Sequence, residues 1–428
     1  MMFWSDRTPS NGKHPETSPV LNQMHLHPRL GNVKFEDYDI YSWTDFGLEA
    51  PFIQALWSGW QQLYSQPFYG ITTNGKIEPD LFDLREEGAP VLGMFEAAEV
   101  LLEQAENLSI SKKLKYPLDA NEWRCWMNPE FYLARQGIRL EEHPEELSTA
   151  VLDLIKSSLS DKGYEDTLAF MRVNGFLGYL VEATHLMNER SFNFILFGDP
   201  SLTEPWGWSL WGHHLSMCVF VLGGQMVVSP VFRGCEPNVI DSGQYAGTTI
   251  FSEEMVLATR MMRLLTEEER RFVILYDALE HPDMPEGFPH PADGRNLAGA
   301  YEDNRIIPYT GGLVSSFCNS AQEAVLKLIE KFLDFTPAGP LAAKMRDVQH
   351  VLDQTWLAWM GGYGDKDVFH FRIHSPVLIC EFDHECGMYL TNEQPGRFHV
   401  HTIVRTPNGN DYGKEILRQW RQKNLEKH

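Results

Sequence analysis

A chain of 428 residues with 36 Lys and Arg against 59 Asp and Glu carries a formal charge of −23, which repels phosphate backbones and anionic lipid and argues against nucleic acid or a membrane as partner. Apolar residues at 43% and charged residues at 22% are the proportions of a globular protein with room for a large core. No basic segment leads into an apolar run as a secretory signal requires, and the six scattered cysteines form no C-x-x-C pair and read as reduced thiols, so the expected compartment is the cytoplasm.

Residues 1–30 are rich in Pro, Ser, Asn and His without periodicity and read as a flexible arm. Residues 31–415 are expected to form a single domain, and 416–428 a tail. Ala50–Trp57 begins a helical pattern, Phe68–Thr73 reads as a strand closed by Asn74-Gly75, and Gly93–Gln104 is helical again. Pro144 opens a helix with Leu147, Val151, Leu154 and Ile155 on one stripe, and Asp166–Met187 repeats the pattern. Phe192–Phe197 then reads as a strand, followed by a long apolar strand from Trp208 to Leu222. Gly223-Gly224 joins that strand to Gln225–Pro230 as a hairpin.

Helices return at Ser252–Leu265, at Thr266-x-x-Glu269 with capping-box spacing, and at Ser320-x-x-Glu323. A further helix is predicted over Leu341–Met360, with Trp356 and Trp359 on its stripe and Gly361-Gly362 as its cap. The Pro- and Gly-rich stretch His281–Asn296 reads as a long surface insertion. The chain closes on three strands, Asp367–His374, Pro376–Asp383 and Arg397–Val404. Segregated helices and antiparallel strands predict an α+β fold: one large domain with a central, mainly antiparallel sheet flanked by helical hairpins.

Dinucleotide, nucleotide triphosphate, zincin and α/β-hydrolase motifs are missing from the sequence. Histidine placement is the positive signal. In Phe398-His399-Val400-His401, residues two apart share a strand face, so His399 and His401 lie about 7 Å apart on one side. Gly212-His213-His214 supplies two more imidazoles, which on a strand would point to opposite faces. Three imidazoles with an open position suit catalytic zinc, and two with a carboxylate suit non-haem iron. The candidate ligands are therefore His399, His401 and one of His213 and His214, holding a divalent metal with zinc favoured and iron or manganese as alternatives.

Glu381 interrupts an apolar strand, a costly position without a partner. It is the candidate base or ligand, with His374 and Arg372 as further catalytic candidates. Trp206, Trp208 and Trp211 are expected to wall a substrate pocket, and Arg405 to bind a substrate carboxylate. Arg372 and Arg405 have a plainer alternative, salt bridges to Glu381 or Asp383. Asn410 and Asp411 would orient the histidines from beyond the strand end.

The segments Tyr69–Gly75, Phe197-Gly198-Asp199-Pro200-Ser201, Glu204–Trp208, Gly212–Ser216, Arg372–Pro376 and His399–Thr402 through Asn410–Gly413 resemble, in this order, the family catalogued as domain of unknown function 3500, over about residues 69–413. The resemblance implies one contiguous domain and brings no activity with it. Its segments coincide with the histidines reached from strand geometry. The expected function is a metal-dependent enzyme of hydrolase or lyase type acting on a small organic substrate. The alternatives are a non-haem iron oxygenase and a metal-free small-molecule binding protein. Self-association is left open.

Overall fold

The computed structural model describes residues 33–286 and 288–426; the arm read over 1–30 lies outside them. Among the described residues, twelve strands form a single sheet. They are β1 (Lys115–Tyr116), β2 (Ile138–Arg139), β3 (Phe192–Phe197), β4 (Pro205–Gly212), β5 (Leu215–Leu222), β6 (Gln225–Cys235), β7 (Ile274–Tyr276), β8 (Gly312–Leu313), β9 (Trp356–Gly361), β10 (Phe369–His374), β11 (Ile379–His384) and β12 (Val400–Arg405). Their spatial order is β1-β3-β4-β5-β6-β12-β11-β10-β9-β7, with β2 on β3 and β8 on β9. Only β1–β3 and β7–β9 run parallel. Helices pack around the sheet in pairs, Val91–Asn107 with Glu145–Ser158 and Ser252–Leu264 with Asn319–Phe332. The architecture is the expected single α+β domain. None of the described helices is long and apolar enough to cross a membrane.

The two β regions of the sequence meet where β12 pairs with β6. Residues directly opposite one another share a sheet face, so the registers sort the side chains. One face of the central strands carries Trp359, Phe371 and Phe382 in a cross-strand row. Phe371 and Phe382 stack at 5.6 Å, and Phe332 of a covering helix meets Phe371 edge-on at 5.6 Å. This is the apolar core.

The opposite face is polar although fully buried. His401, Asp383 and His370 form one row, Ile403, Glu381 and Arg372 the next, and Arg405, Ile379 and His374 the third. Residues 293–303 lie across this face. Arg295 pairs with Asp383 at 2.7 Å, and the amides of Leu297 and Ala298 donate to Glu381. Asp303 takes Arg405 and Arg124, at 2.7 and 2.6 Å. The stretch expected as a surface insertion is therefore internal at its C-terminal end: Arg295 and Asn296 are 2% and 1% exposed.

Four further local expectations give way to backbone pairing. The Trp208–Leu222 stretch is two strands, turning at His213-His214, where His214 takes φ +63°. The helix read over Leu341–Met360 ends at His350, because Trp356–Gly361 finds β10 as a partner; Gly361 ends that strand rather than capping a helix. Phe68–Thr73 makes only a single bridge, Thr72 to Ile306, since its amides at Tyr69 and Gly70 bond the Asn304 side chain. Ser320 does not cap its helix, which begins at Asn319 after Cys318. The Thr266–Glu269 capping box and the Gly223-Gly224 hairpin form as read. The expected tail is the helix Lys414–Leu425, which buries Ile416 and Leu417.

Asp303 also accepts from the Tyr412 hydroxyl at 2.8 Å, so one carboxylate compensates two buried guanidiniums. Removing one member of such a pair strands the other charge and costs about 3–5 kcal/mol. Asp303→Asn is expected to lower the unfolding free energy by that amount, read as a lower urea midpoint with an unchanged slope. A shift well under 1 kcal/mol would mean that Asp411, 3.0 Å from Arg405, suffices alone.

Candidate metal centre

The β4–β5 turn, β6 and β12 lie side by side, and their ends build one cluster. Gly234 of β6 pairs with His401 of β12, and its N–H donates to the His214 carbonyl at 2.7 Å. His214, Gly234 and His401 thus form a row across three adjacent segments, with no side chain in the middle. The two imidazoles lean over the glycine. A Cβ there would lie 2.9 Å from His214 Cδ2 and 3.0 Å from His401 Cδ2. His399, just before β12, joins them from the same side.

The three Nε2 atoms converge. His401 Nε2 is 3.1 Å from His399 Nε2 and 3.3 Å from His214 Nε2, and one ligand atom from each of the three rings lies within 4.8 Å of the other two. Metal–nitrogen bonds of about 2.0–2.1 Å at tetrahedral angles separate ligand nitrogens by about 3.3–3.4 Å, so the spacing suits a zinc-sized ion.

Hydrogen bonding alone does not account for this cluster. His399 Nδ1 is 2.6 Å from the Cys386 carbonyl. A carbonyl only accepts, so Nδ1 carries a proton, and in the neutral ring Nε2 then presents a bare lone pair. His401 Nε2 holds either a proton or a lone pair. With a proton it donates to His399 and cannot accept from His214; without one it faces the His399 lone pair. One cation at the centre satisfies all three nitrogens. The rings are 3%, 4% and 7% exposed for His214, His399 and His401. Burial first, then the neighbouring imidazoles, push His214 and His401 well below the ordinary histidine pKa, which keeps them neutral and able to ligate.

Support comes from behind the rings. Glu236 Oε1 is 3.9 Å from His399 Nδ1, and Glu385 Oε1 is 3.9 Å from His401 Nδ1. At that distance neither carboxylate is hydrogen-bonded to its ring, and the group that orients His399 from its far nitrogen is the Cys386 carbonyl. Glu236 is itself fixed, accepting amides from Met388, Tyr389 and Leu390 at 2.8–3.2 Å. Asn128 bridges two of the histidines: its Oδ1 accepts from His214 N–H, and its Nδ2 is 3.5 Å from His401 Nε2.

The other sequence candidates are placed elsewhere. His213 stacks on His214 at 3.8 Å but turns its Nδ1 to Asn174 Oδ1 at 3.0 Å; it is outside the converging set because the pair occupies a turn, not a strand. Glu381 is saturated by the Leu297 and Ala298 amides and by Arg372 at 3.4 Å. Arg372 is further tied to Thr310. His374 is four residues along β10 from the row of His401, about 13 Å by strand rise, and packs against Tyr309. None of these three candidate catalytic groups reaches the cluster.

Trp206, Trp208 and Trp211 are 0%, 0% and 2% exposed. Trp206 and Trp208 donate to Ser201 O and Ser158 Oγ, and Trp211 leans on Tyr132, so they fill the core rather than wall a pocket. Arg405 is internal, bound by Asp303 and Asp411 beneath Trp126; of the two expected salt bridges only that of Arg372 to Glu381 forms. Asp411 serves Arg405, Ser229 and the Thr406 amide, and Asn410 accepts from Ile416 N–H. Both lie beyond the end of β12 opposite to the histidines.

A model of the family described as protein of unknown function (DUF3500) matches residues 87–414. The chain belongs to this family. No curated protein and no solved structure matches it. The matched range holds the whole cluster and its supports, while the Tyr69–Gly75 segment of the resemblance lies just N-terminal to it.

Sequence reasoning missed Asn128, Gly234, Glu236, Glu385 and Cys386. Glu236 is the most exposed to test. Glu236→Ala leaves three amides without their acceptor, at about 1–3 kcal/mol for each left unsatisfied. Hydrogen exchange at Met388, Tyr389 and Leu390 is expected to accelerate while β9 keeps its protection. Unchanged exchange there would show that other contacts hold the segment.

Proposed function

We propose that this protein is a metal-dependent enzyme of hydrolase or lyase type, acting on a small organic substrate, with a divalent metal, zinc favoured, held by His214, His399 and His401. The observation that carries this reading is the convergence of three imidazole Nε2 atoms, with no fourth side-chain ligand joining them among the described residues. Structural zinc sites close with four protein ligands, whereas catalytic ones keep a position open. A bound ion would supply Lewis acidity there, activating water or polarising a carbonyl.

The chain's own groups would do the rest. The Cys386 carbonyl holds the His399 ring from its far nitrogen, and Glu236 and Glu385 stand 3.9 Å from the far nitrogens of His399 and His401. The Asn128 amide, anchored through Oδ1, presents Nδ2–H to an oxygen of the substrate. Burial of the rings excludes bulk water and strengthens each of these interactions. The oxygenase alternative calls for two imidazoles and a carboxylate in the ligand set. Here the nearby carboxylates stand behind the rings, which favours the three-histidine reading.

Elemental analysis of untagged protein is expected to find about one transition-metal ion per chain, zinc foremost. His399→Ala/His401→Ala is expected to lose it. Less than about a tenth of an equivalent, with no thermal stabilisation on adding zinc, iron(II) or manganese(II), would leave the metal-free binding protein as the better reading. Metal retained by the double variant would show that it sits elsewhere. Gly234→Ala tests the geometry: the added Cβ drives His214 and His401 apart, and metal affinity, read by competition with a chelator, is expected to fall about 10–100-fold as when ligand orientation is disturbed.

A further inference from the structure

A second reactive group lies on the other face of the sheet, at the end of β12 far from the histidines. There a cavity of about 60 Å³ is lined by the helix Ala338–His350, the start of β6, the end of β12 and residues 82–87. Lys344 of that helix lines it and turns its amine inward. Nζ donates to the buried Val377 carbonyl at 2.6 Å and to Thr406 Oγ1 at 3.3 Å, and it makes no ion pair in the described structure. The carboxylates that could pair with it are engaged: Arg85 binds Asp347 through both oxygens, at 2.7 and 2.6 Å, and Glu87 at 2.7 Å.

These two acceptors engage two positions on the nitrogen, and the third carries the lone pair once the ammonium has lost its proton. Burial eases that deprotonation, lowering the amine pKa to about 8 from about 10.4 in water, so that a large fraction is neutral at pH 8. Lysines desolvated in this way are the ones that act as nucleophiles.

The lining also selects the ligand. Asp83, Glu87 and Asp347 outnumber Arg85 and Lys344 in charge, which disfavours an anion, while Phe82, Met226 and Val404 offer apolar contact. With liquid water occupying about 30 Å³ per molecule, the space admits a fragment of a few heavy atoms. We propose that Lys344 is a site of reversible imine formation with a small neutral aldehyde of two or three carbons. The Nζ lone pair attacks the carbonyl carbon as the C=O π pair moves to oxygen. The resulting carbinolamine loses that oxygen as water, taking two protons from the former amine and solvent, to give the protonated imine. Its remaining N–H keeps the bond to Val377 O.

The full-length protein, incubated at pH 8 with limiting acetaldehyde and sodium cyanoborohydride, is expected to gain one N-ethyl group at Lys344 before exposed lysines such as Lys112 and Lys423 react, as read by peptide mass mapping. The Lys344→Met variant, checked for an unchanged thermal transition, should lose this first label. If that variant does not fold, pre-incubation of the unaltered protein with a non-reactive isostere such as propanol should slow labelling at Lys344 alone. Labelling of Lys344 no faster than that of the exposed lysines would overturn the proposal. The same measurement in His399→Ala/His401→Ala should be unchanged, so its outcome is separate from that of the metal reading.

Discussion

The junction of β6 with β12 fixes the rest of the structure. It joins a sheet half built from residues 115–235 to one built from residues 274–405, and it does so with a glycine opposite a histidine. Any side chain at position 234 would fill the space into which His214 and His401 lean. The absent side chain lets imidazoles from segments separated by a whole strand meet nitrogen to nitrogen. The same pairing sets the register of β11 and β10, and with it which face receives Asp383, Glu381 and Arg405. A one-residue slip would move all of them to the aromatic face.

That register produces a buried polar layer, an expensive thing to build. Each charge in it is met by a partner brought from far along the chain. Asp383 has Arg295, Glu381 has two amides and Arg372, and Arg405 has Asp303 and Asp411. Isolated, any of these groups would be strongly destabilising; paired, they hold residues 293–303 against the sheet in one alignment. The histidine cluster sits at the end of this layer and is built differently. Burial keeps His214 and His401 neutral, and the Cys386 carbonyl orients His399 at its far nitrogen. Charge compensation and ligand presentation are thus neighbouring but separate tasks of one sheet face.

How much of this the sequence reveals depends on the range of the interactions. Period-two alternation placed His399 and His401 together, and the isolation of Glu381 among apolar neighbours correctly marked a partnered buried charge. The strand turn at His213-His214 carries no Asn-Gly or Asp-Gly signal, so a two-strand hairpin reads as one long strand, and the two histidines appear to diverge when they stack. Trp356 and Trp359 fit a helical stripe as well as a strand, and only the presence of β10 decides between them. Asn128, Glu236 and Glu385 come from three distant segments and are joined to the histidines by tertiary contact alone. Nothing local distinguishes them from other polar residues.

The position of the family match bears on how the two reactive regions relate. Residues 87–414 contain every group that makes or steadies the histidine cluster, from Asn128 to His401. The Lys344 cavity takes Phe82, Asp83 and Arg85 from outside that range, and Arg85 is the residue that occupies Asp347 and Glu87 and so leaves the lysine without a counter-ion. The cluster is therefore complete within the matched range. The state of Lys344 depends on the segment that precedes the domain and packs onto it.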